Sequence, residues 1–176
     1  MKKDVKFIIR PFKSGDEYSL FKHINNKKIA DNTLNINYPY SLENARKWVM
    51  FNMAEDKKPN TSNINFVIEI SDEVVGSIGF SNIKDNEAEI SYWLSEDYWG
   101  KGIMTNAVER ITKYGYEKLN LNKIYGYVFM FNHASMRVLE KIGYKKETIS
   151  RKSCEKNGVK IDEVMYVQRK AQQNQQ

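Results

Sequence analysis

The chain has 176 residues, of which 41% are hydrophobic and 28% are charged, and it carries a net charge of +6. This length fits one domain, and no stretch approaches the ~20 apolar residues of a membrane-spanning helix. The single cysteine, Cys154, excludes an intramolecular disulfide, and the two histidines give no zinc-ligand spacing. Lysines are spread along the chain rather than clustered, which argues against a nucleic-acid partner. We expect a cytoplasmic protein with no metal and no membrane partner.

The first half of the chain predicts one strand, two helices and three further strands. The helices show apolar residues at helical spacing, and the strands alternate apolar and polar residues. The predicted elements are a strand over 5–12, helices over 16–25 and 42–56 with a loop over 31–40 between them, and strands over 64–70, 74–83 and 88–95. Short turns between the last three strands predict an antiparallel meander.

The second half predicts alternating helices and strands. The elements are a helix over 103–119, a buried strand over 123–131, a helix over 132–143, and a hairpin of strands over 144–151 and 159–168. The order combines a meander with a β-α-β crossover. We predict an α+β (α/β) fold with a single mixed, mainly antiparallel sheet flanked by helices. Residues 1–168 are expected to form one domain, and 169–176 a polar, disordered tail.

The stretch YWGKGIMT, residues 98–105, lies where a predicted strand gives way to a predicted helix. A helix N-terminus presents unpaired N–H groups and a partial positive charge, and glycine lets the backbone approach a phosphate closely. Lys101 adds a positive charge. The candidate pyrophosphate site consists of Gly100, Lys101, Gly102, Ile103, Met104 and Thr105. Taken alone, two glycines here more often mark a tight turn, and neither a P-loop nor a dinucleotide motif matches.

The block from Ala88 to Glu147 resembles the core of the GNAT superfamily of N-acetyltransferases. It most resembles the branch of the RimJ and RimL ribosomal-protein N-terminal acetyltransferases. The segments that carry the resemblance are YWGKG, the N-x-x-S at Asn132 and Ser135, and LEKIGY, with IIRPF and YPYSLENARKWV in agreement. The resemblance implies the GNAT acyl-CoA N-acyltransferase fold, with acetyl-CoA as co-substrate and no metal.

The same resemblance implies which residues meet acetyl-CoA. In the loop pattern Q/R-x-x-G-x-G/A, Trp99 takes the first place and Gly102 the central glycine. Met104 departs from the last small residue, so its side chain must point away from the pyrophosphate. The preceding strand would splay from its neighbour and pair with the pantetheine arm through Tyr92, Trp93 and Leu94. The side chains of these three read as sheet core. Asn132 would contact CoA while capping its helix.

Acyl transfer needs a base for the amine, a donor to the oxyanion and stabilisation of the leaving thiolate. By resemblance, Glu89 is the base, directly or through water, and Ser135 stabilises the thiolate. The helix tyrosine that serves many members as the acid is Leu139 here. Read from the residues alone, Glu89 is equally an exposed or salt-bridged strand residue, and Ser135 a serine bonding its own helix. A backbone N–H near Leu94 is expected to bind the oxyanion.

The resemblance to this branch implies that the acceptor binds between the loop over 35–40 and the hairpin over 150–162. Tyr38 and Tyr40 would bind it there, or else pack over the sheet. The hairpin is basic, which disfavours a polycation. The predicted function is acetyl transfer from acetyl-CoA to a primary amine, foremost a protein N-terminal α-amine, by direct attack in a ternary complex. Two alternatives stay open: acetylation of a small amine (polyamine, amino acid or aminoglycoside), and a non-catalytic CoA-binding or RNA-associated module. A monomer and a homodimer are both compatible with the sequence.

Overall fold

The computed structural model describes residues 5–171 and shows a mixed sheet of seven strands with helices on both faces. The strands are β1 (Ile8–Arg10), β2 (Ile64–Ile70), β3 (Glu73–Lys84), β4 (Glu87–Leu94), β5 (Lys123–Phe129), β6 (Lys145–Lys156) and β7 (Val159–Arg169). The helices are α1 (Asp16–Ile24), α2 (Lys27–Asp31), α3 (Leu42–Glu55), α4 (Ile103–Lys118) and α5 (His133–Lys141). The predicted single mixed sheet flanked by helices is therefore confirmed.

The sheet has the order β1-β2-β3-β4-β5-β7-β6, and only the central β4–β5 pair is parallel. That pair is short, because it joins only Glu87–Glu89 to Lys123–Tyr125. Gly126 follows immediately, and a Cβ atom there would lie 3.2 Å from the carbonyl oxygen of Ile90. Beyond this close approach the pairing of β4 with β5 ends, and an opening forms between the two strands. The predicted splay of β4 from its neighbour is present.

The sheet separates two apolar cores, which explains why helices are needed on both faces. The larger core packs α4 and α5 against the sheet, with Ile103 and Leu139 among its buried residues. The second core packs α1 and α3 against the opposite face through residues such as Leu20 and Val49. β4 contributes to both, because its successive side chains point to opposite faces. Its carboxyl end is therefore held from both sides where the opening begins.

Local signals placed several boundaries as predicted. The Ser41 hydroxyl accepts a hydrogen bond from the N–H of Asn44 at 3.1 Å and begins α3. Asn157 and Gly158 both have positive φ, 51° and 76°, as a two-residue hairpin turn between β6 and β7 requires. The hairpin strands are longer than predicted, since β6 continues to Lys156.

Three features differ from the sequence prediction. The short helix α2 lies between the first predicted helix and the loop predicted over 31–40, where no element was predicted. The Asn26 side chain caps it by accepting from the N–H of Lys28 at 2.8 Å. β1 pairs over only three residues instead of the predicted eight-residue strand, and β7 continues to Arg169. The remaining part of the predicted tail, 172–176, lies outside the described residues. Over residues 5–171, every helix is too short or too polar to span a membrane.

Candidate active site

A groove of about 340 Å³ lies between the carboxyl end of β4, the start of α4 and one face of α5. It gathers nearly all the residues predicted to bind the cofactor: Tyr92, Trp93, Leu94, Trp99, Gly100, Gly102, Ile103, Met104, Thr105, Asn132 and Ser135. Lys101 does not line it, and its Nζ lies 5.1 Å from the ring centroid of Tyr98. We call this the donor groove. Local sequence signals thus converge in space, with Lys101 as the exception.

The N-terminus of α4 opens into the donor groove without a side-chain cap. Gly102 is the N-cap residue with φ 80°, and Gly100 has φ 71°. These left-handed conformations require glycine, although a Cβ atom at either position would meet open space. Met104 is only 8% exposed and belongs to the larger core, so its bulk is accommodated within the protein. The first amides of α4 therefore face a space that can hold an anion.

The exposed backbone of β4 faces the opening toward β5. Strand residues direct their N–H and C=O groups alternately to the two sides, and the N–H of Ser95 donates to Val75 on β3. The backbone groups of Tyr92 and Leu94 therefore point away from β3, into the opening. The Leu94 carbonyl accepts the indole N–H of Trp99 at 2.8 Å, which ties the glycine loop to the end of β4. The N–H groups of Tyr92 and Leu94 therefore remain directed toward the opening.

Helix α5 contributes more than the sequence prediction recognised. Asn132 caps it by accepting the N–H of Ser135 at 3.1 Å, while its Nδ2 donates to the carbonyl of Asn32 at 3.3 Å. Arg137 and Lys141 also line the donor groove. They follow Ala134, another lining residue, at the i+3 and i+7 spacing of one helix face, and that spacing was the signal available in the sequence. The two cations give this wall of the groove a positive charge.

A second cleft, of about 550 Å³, lies on the other side of the opening, between β4, β5 and the β6–β7 hairpin. We call it the acceptor cleft. Its walls include Asn35, Glu89, Tyr127, Ser153 and Glu163. The donor groove and the acceptor cleft share five lining residues, Asn32, Thr33, Tyr92, Asn132 and Ser135. The two spaces therefore meet at the beginning of α5.

Glu89 lies in the acceptor cleft with one direct hydrogen-bond donor, the Nδ2 of Asn82, at 2.9 Å from its Oε2. Burial raises the pKa of the Glu89 carboxyl, the Asn82 hydrogen bond opposes this rise, and the negative charge of Glu163 adds to it. A carboxylate whose pKa is raised is a better proton acceptor than one free in water. Glu89 has no ion-pair partner within 5–171, so the salt-bridge alternative is not what the structure shows.

Ser135 and Tyr92 bring two hydroxyl groups to the place where the clefts meet. The Tyr92 hydroxyl donates to the carbonyl oxygen of Ser135 at 3.4 Å. Burial is the main cause that raises the pKa of Tyr92, so the phenol stays protonated. Across the described part of the chain, the Ser135 hydroxyl makes no hydrogen bond to its own helix; only its N–H is engaged, by Asn132. Both hydroxyls can thus donate to a ligand.

A segment that includes the first part of the predicted loop over 31–40 completes the junction. Residues 26–36, here called the bridge segment, include α2 and supply Asn32 and Thr33 to both clefts. Lys156 of β6 is buried, and its Nζ donates to the carbonyls of Ile36 at 2.6 Å, Leu34 at 3.3 Å and Thr33. Burial lowers the pKa of Lys156. Lys156 therefore joins the bridge segment to the hairpin.

Tyr38 and Tyr40 lie apart from both clefts. Tyr38 is 52% exposed, and Tyr40 packs against the second core, where burial raises its pKa. The backbone N–H of Tyr40 donates to the side-chain oxygen of Asn25 at 2.9 Å. Their predicted role in binding substrate stays a prediction. Over 5–171, no three His, Cys, Asp or Glu side chains come together as metal ligands.

Three features define the GNAT acyl-CoA N-acyltransferase fold: the splayed β4–β5 pair, the glycine loop that begins α4 without a side-chain cap, and α5 on the other side of the donor groove. The family model described as an acetyltransferase (GNAT) domain matches residues 6–145. That match covers well over half of the chain. The chain belongs to the GNAT acetyltransferase family.

Known proteins extend this assignment. The uncharacterized N-acetyltransferase p20 of Bacillus licheniformis is 35% identical over 104 residues, which are 58% of this chain and 58% of that protein. The matched region thus spans little more than half of that relative's length. RimL, a ribosomal L7/L12 α-N-protein acetyltransferase solved with coenzyme A, superposes with a TM-score of 0.85 at 21% identity, over 94% of this chain and 96% of that chain.

A second solved structure has the same fold and a different acceptor. Spermidine N-acetyltransferase from Vibrio cholerae, solved with CoA and spermine, gives a TM-score of 0.77 at 22% identity, over 93% of this chain and 95% of that chain. At these identities, both structures show a shared fold. They leave the acceptor of the present chain to be argued from its own residues.

Proposed function

We propose that the protein transfers the acetyl group of acetyl-CoA to a primary amine, foremost the α-amine of a protein N-terminus, by direct attack in a ternary complex. The observation that carries the proposal is the meeting of the donor groove and the acceptor cleft at Ser135 and Tyr92. A thioester that enters from one side and an amine that enters from the other would contact each other there without a covalent intermediate on the protein.

The donor groove has the features that acetyl-CoA requires. The uncapped amides at the start of α4 suit a pyrophosphate, and the positive φ of Gly102 keeps the backbone free of a Cβ there. Arg137 and Lys141 supply positive charge along α5 for the phosphates of CoA. The backbone of Tyr92 and Leu94 faces the opening and can hydrogen-bond the amide groups of the pantetheine arm.

Three groups of the chain would act during transfer. Glu89 takes a proton from the ammonium form of the acceptor, directly or through water, and frees the nitrogen lone pair. The N–H of Leu94, directed into the opening, is the candidate donor to the oxyanion. As the carbon–sulfur bond breaks, the Ser135 hydroxyl donates a hydrogen bond to the sulfur. Leu139 has no hydroxyl and cannot serve as the acid.

Two considerations favour an N-terminal α-amine as the acceptor. Its pKa of about 8 is lower than that of an alkyl amine such as a lysine side chain, about 10.4, so a single carboxylate suffices to deprotonate it at neutral pH. The acceptor cleft is also roomy, about 550 Å³, and it lies against the edge of the hairpin, where an extended chain end can enter. The structural neighbour RimL is named as an enzyme that acts on such an α-amine.

A second candidate acceptor is a small polyamine. Glu89 and Glu163 both line the acceptor cleft, and their two negative charges favour a substrate with more than one positive charge. The related fold of the spermidine N-acetyltransferase agrees with this candidate. The sequence alone showed only scattered carboxylates, because Glu163 reaches the cleft through the pairing of β7 with β5.

Cofactor binding is tested first, by thermal melting with and without acetyl-CoA. A ligand at 100 times its dissociation constant stabilises by about 2.7 kcal/mol, which for a domain of this size raises Tm by about 5–11 °C. We expect this rise in the wild type and its loss in Gly102→Val, since a β-branched residue cannot adopt the φ of 80° without strain. No rise at millimolar acetyl-CoA would overturn the proposal.

Acceptor choice is tested by release of the CoA thiol with three acceptors: a peptide with a free N-terminus, the same peptide with a blocked N-terminus and a free lysine, and spermidine. We expect turnover with the first peptide only. Spermidine as the sole substrate would favour the polyamine. Glu89→Gln and Ser135→Ala should each lower kcat by about 10²-fold. Unchanged turnover in both variants would remove the mechanism while leaving cofactor binding intact.

A further inference from the structure

We infer that the phenolic hydroxyl of Tyr92 is a second hydrogen-bond donor to the leaving sulfur, acting beside Ser135. The inference rests on the proposed acetyl transfer and assigns Tyr92 a catalytic role in addition to its backbone contact with the cofactor. It follows from where the side chain lies, which elements surround it and what the departing thiolate requires.

The position of Tyr92 is unusual among the residues of β4. It lies on the strand after the pairing with β5 has ended at Glu89, and therefore beside the opening. Its side chain contributes to both the donor groove and the acceptor cleft. Trp93 and Leu94, its neighbours toward the glycine loop, line the donor groove alone. Tyr92 is thus the residue of β4 that stands where a thioester and an amine would meet.

The hydroxyl itself is directed to the beginning of α5. Its oxygen is 3.4 Å from the carbonyl oxygen of Ser135, the same residue whose hydroxyl is expected at the sulfur. A separation of 3.4 Å is at the long end of the hydrogen-bond range, so the contact is weak. A phenolic proton can rotate to a better acceptor, and a thiolate is a charged acceptor for which the bond is stronger. Tyr92 can therefore exchange a weak partner for a strong one as the sulfur departs.

The surroundings keep the phenol in the donor form. The ring packs against the larger core, and burial raises the pKa of its hydroxyl well above the ordinary value for tyrosine. Two neighbouring tyrosines, Tyr144 and Tyr166, add no charge that would change the ionisation of Tyr92, because burial raises the pKa of both and keeps them neutral. Tyr144 is hydrogen-bonded to Thr112, and Tyr166 donates to Glu140. A tyrosine that stays protonated donates a hydrogen bond to sulfur without itself becoming an anion.

The step balances without any further reagent. The amine nitrogen, after loss of a proton to Glu89, forms the bond to the acetyl carbon, and the carbon–sulfur bond breaks with its electron pair left on sulfur. Tyr92 and Ser135 each donate a hydrogen bond to that sulfur and keep their own protons. Bond formation leaves the nitrogen positively charged, and it loses a second proton as the tetrahedral intermediate collapses. One of the two protons restores the thiol, and the other passes to solvent. The products are the acetylated amine and CoA.

The test compares Tyr92→Phe with Tyr116→Phe. Tyr116 lies on α4, donates its hydroxyl to Gln168 at 3.1 Å and lines neither cleft, so it controls for the loss of a buried phenol elsewhere in the same core. We expect Tyr92→Phe to lower kcat by about tenfold to hundredfold with the dissociation constant of acetyl-CoA changed less than about twofold. Tyr116→Phe should keep the wild-type kcat.

A direct readout on the sulfur is the thiol pKa of bound CoA, followed by ultraviolet absorbance of the thiolate in saturated complexes. Two donors stabilise the thiolate, so Tyr92→Phe should raise this pKa and Tyr92→Phe/Ser135→Ala should raise it further. An unchanged thiol pKa in Tyr92→Phe, or an equal change in Tyr116→Phe, would overturn the inference. The measurement needs only CoA binding, so it separates failure of this inference from failure to find an acceptor.

Discussion

The protonation of Glu89 depends on its burial and on two neighbouring side chains. Burial raises the pKa of its carboxyl, the hydrogen bond from Asn82 lowers it, and the negative charge of Glu163 raises it. The Glu163→Gln variant loses the negative charge, so the pKa of Glu89 should fall and the acid limb of the kcat–pH profile should move to lower pH. Asn82→Gly should move it to higher pH, because the hydrogen bond is lost. Glycine is the right replacement, since Asn82 has φ 54°.

The comparison uses one acceptor throughout, so that ionisation of the amine is common to all variants. Glu87→Gln is the matched control, because Glu87 lies on the same strand, is paired with Lys123 at 3.0 Å and lines neither cleft. It should leave the acid limb in place. Shifts in the same direction for Glu163→Gln and Asn82→Gly would show that Glu89 is not the base that limits the rate at low pH.

The place of a single residue in the candidate site could be predicted when the sequence on either side of it carried the information. The glycine loop and the Asn132 cap follow from a strand–loop–helix pattern that is read along the chain, whereas Ser135 was expected from the family resemblance. Glu163 and Lys156 could not be predicted, because their roles come from strand pairing and from contacts more than 100 residues apart in sequence. Asn32 was missed for a related reason: it reaches the site through a cap on a helix too short to show periodicity.

At the scale of elements, the bridge segment is held between Glu96, which precedes the glycine loop, and the β6–β7 hairpin. Asn26 donates to Glu96 at 3.0 Å at one end, and Lys156 holds three carbonyls at the other. The Lys156→Met variant keeps the volume and removes the donor. It leaves the partly exposed carbonyls of Thr33, Leu34 and Ile36 without this donor, at a cost of about 1 kcal/mol in the free energy of unfolding. Freed from the hairpin, the bridge segment should bind the acceptor less well.

The expected kinetic result for Lys156→Met is a KM for the acceptor raised by about tenfold, with the acetyl-CoA-induced rise in Tm retained. Lys160→Met is the control, since Lys160 lies on the same hairpin with an exposed side chain. It should change neither quantity. If Lys156→Met lowers stability but leaves the acceptor KM unchanged, the bridge segment does not shape the acceptor cleft.

The limits of some strands could be predicted from the sequence pattern alone, whereas the limits of others depend on the neighbouring strand with which they pair. β2 matched its predicted limits because seven residues of apolar alternation are bounded by turns on both sides. β1 was predicted too long, because its length is set by pairing with β2 rather than by its own sequence. β6 was predicted too short: its polar outer half is a strand only because β7 lies beside it.

For the molecule as a whole, the sheet consists of two parts joined weakly at the centre. β1–β4 form one part and β5–β7 the other, and three residue pairs of β4 and β5 connect them. An extended ligand in the opening would act as an additional strand and hydrogen-bond the N–H groups of Tyr92 and Leu94, which face away from β3. Acetyl-CoA should therefore stabilise the junction between the two parts, beyond its local contacts at the glycine loop.

Amide hydrogen exchange measured residue by residue by NMR tests this. With acetyl-CoA, exchange should slow at Tyr92 and Leu94, whose N–H groups face the opening, and at Ile103–Thr105 in the first turn of α4. A nucleotide fragment of coenzyme A that lacks the pantetheine arm should protect the α4 amides alone, because it fills only that end of the groove. The amides of residues 67–69 in β2, a stretch already paired with both β1 and β3, should not change with either ligand. Protection of α4 without β4 by the complete cofactor would mean that the pantetheine arm does not enter the opening, and the meeting of donor and acceptor at Ser135 would lose its basis.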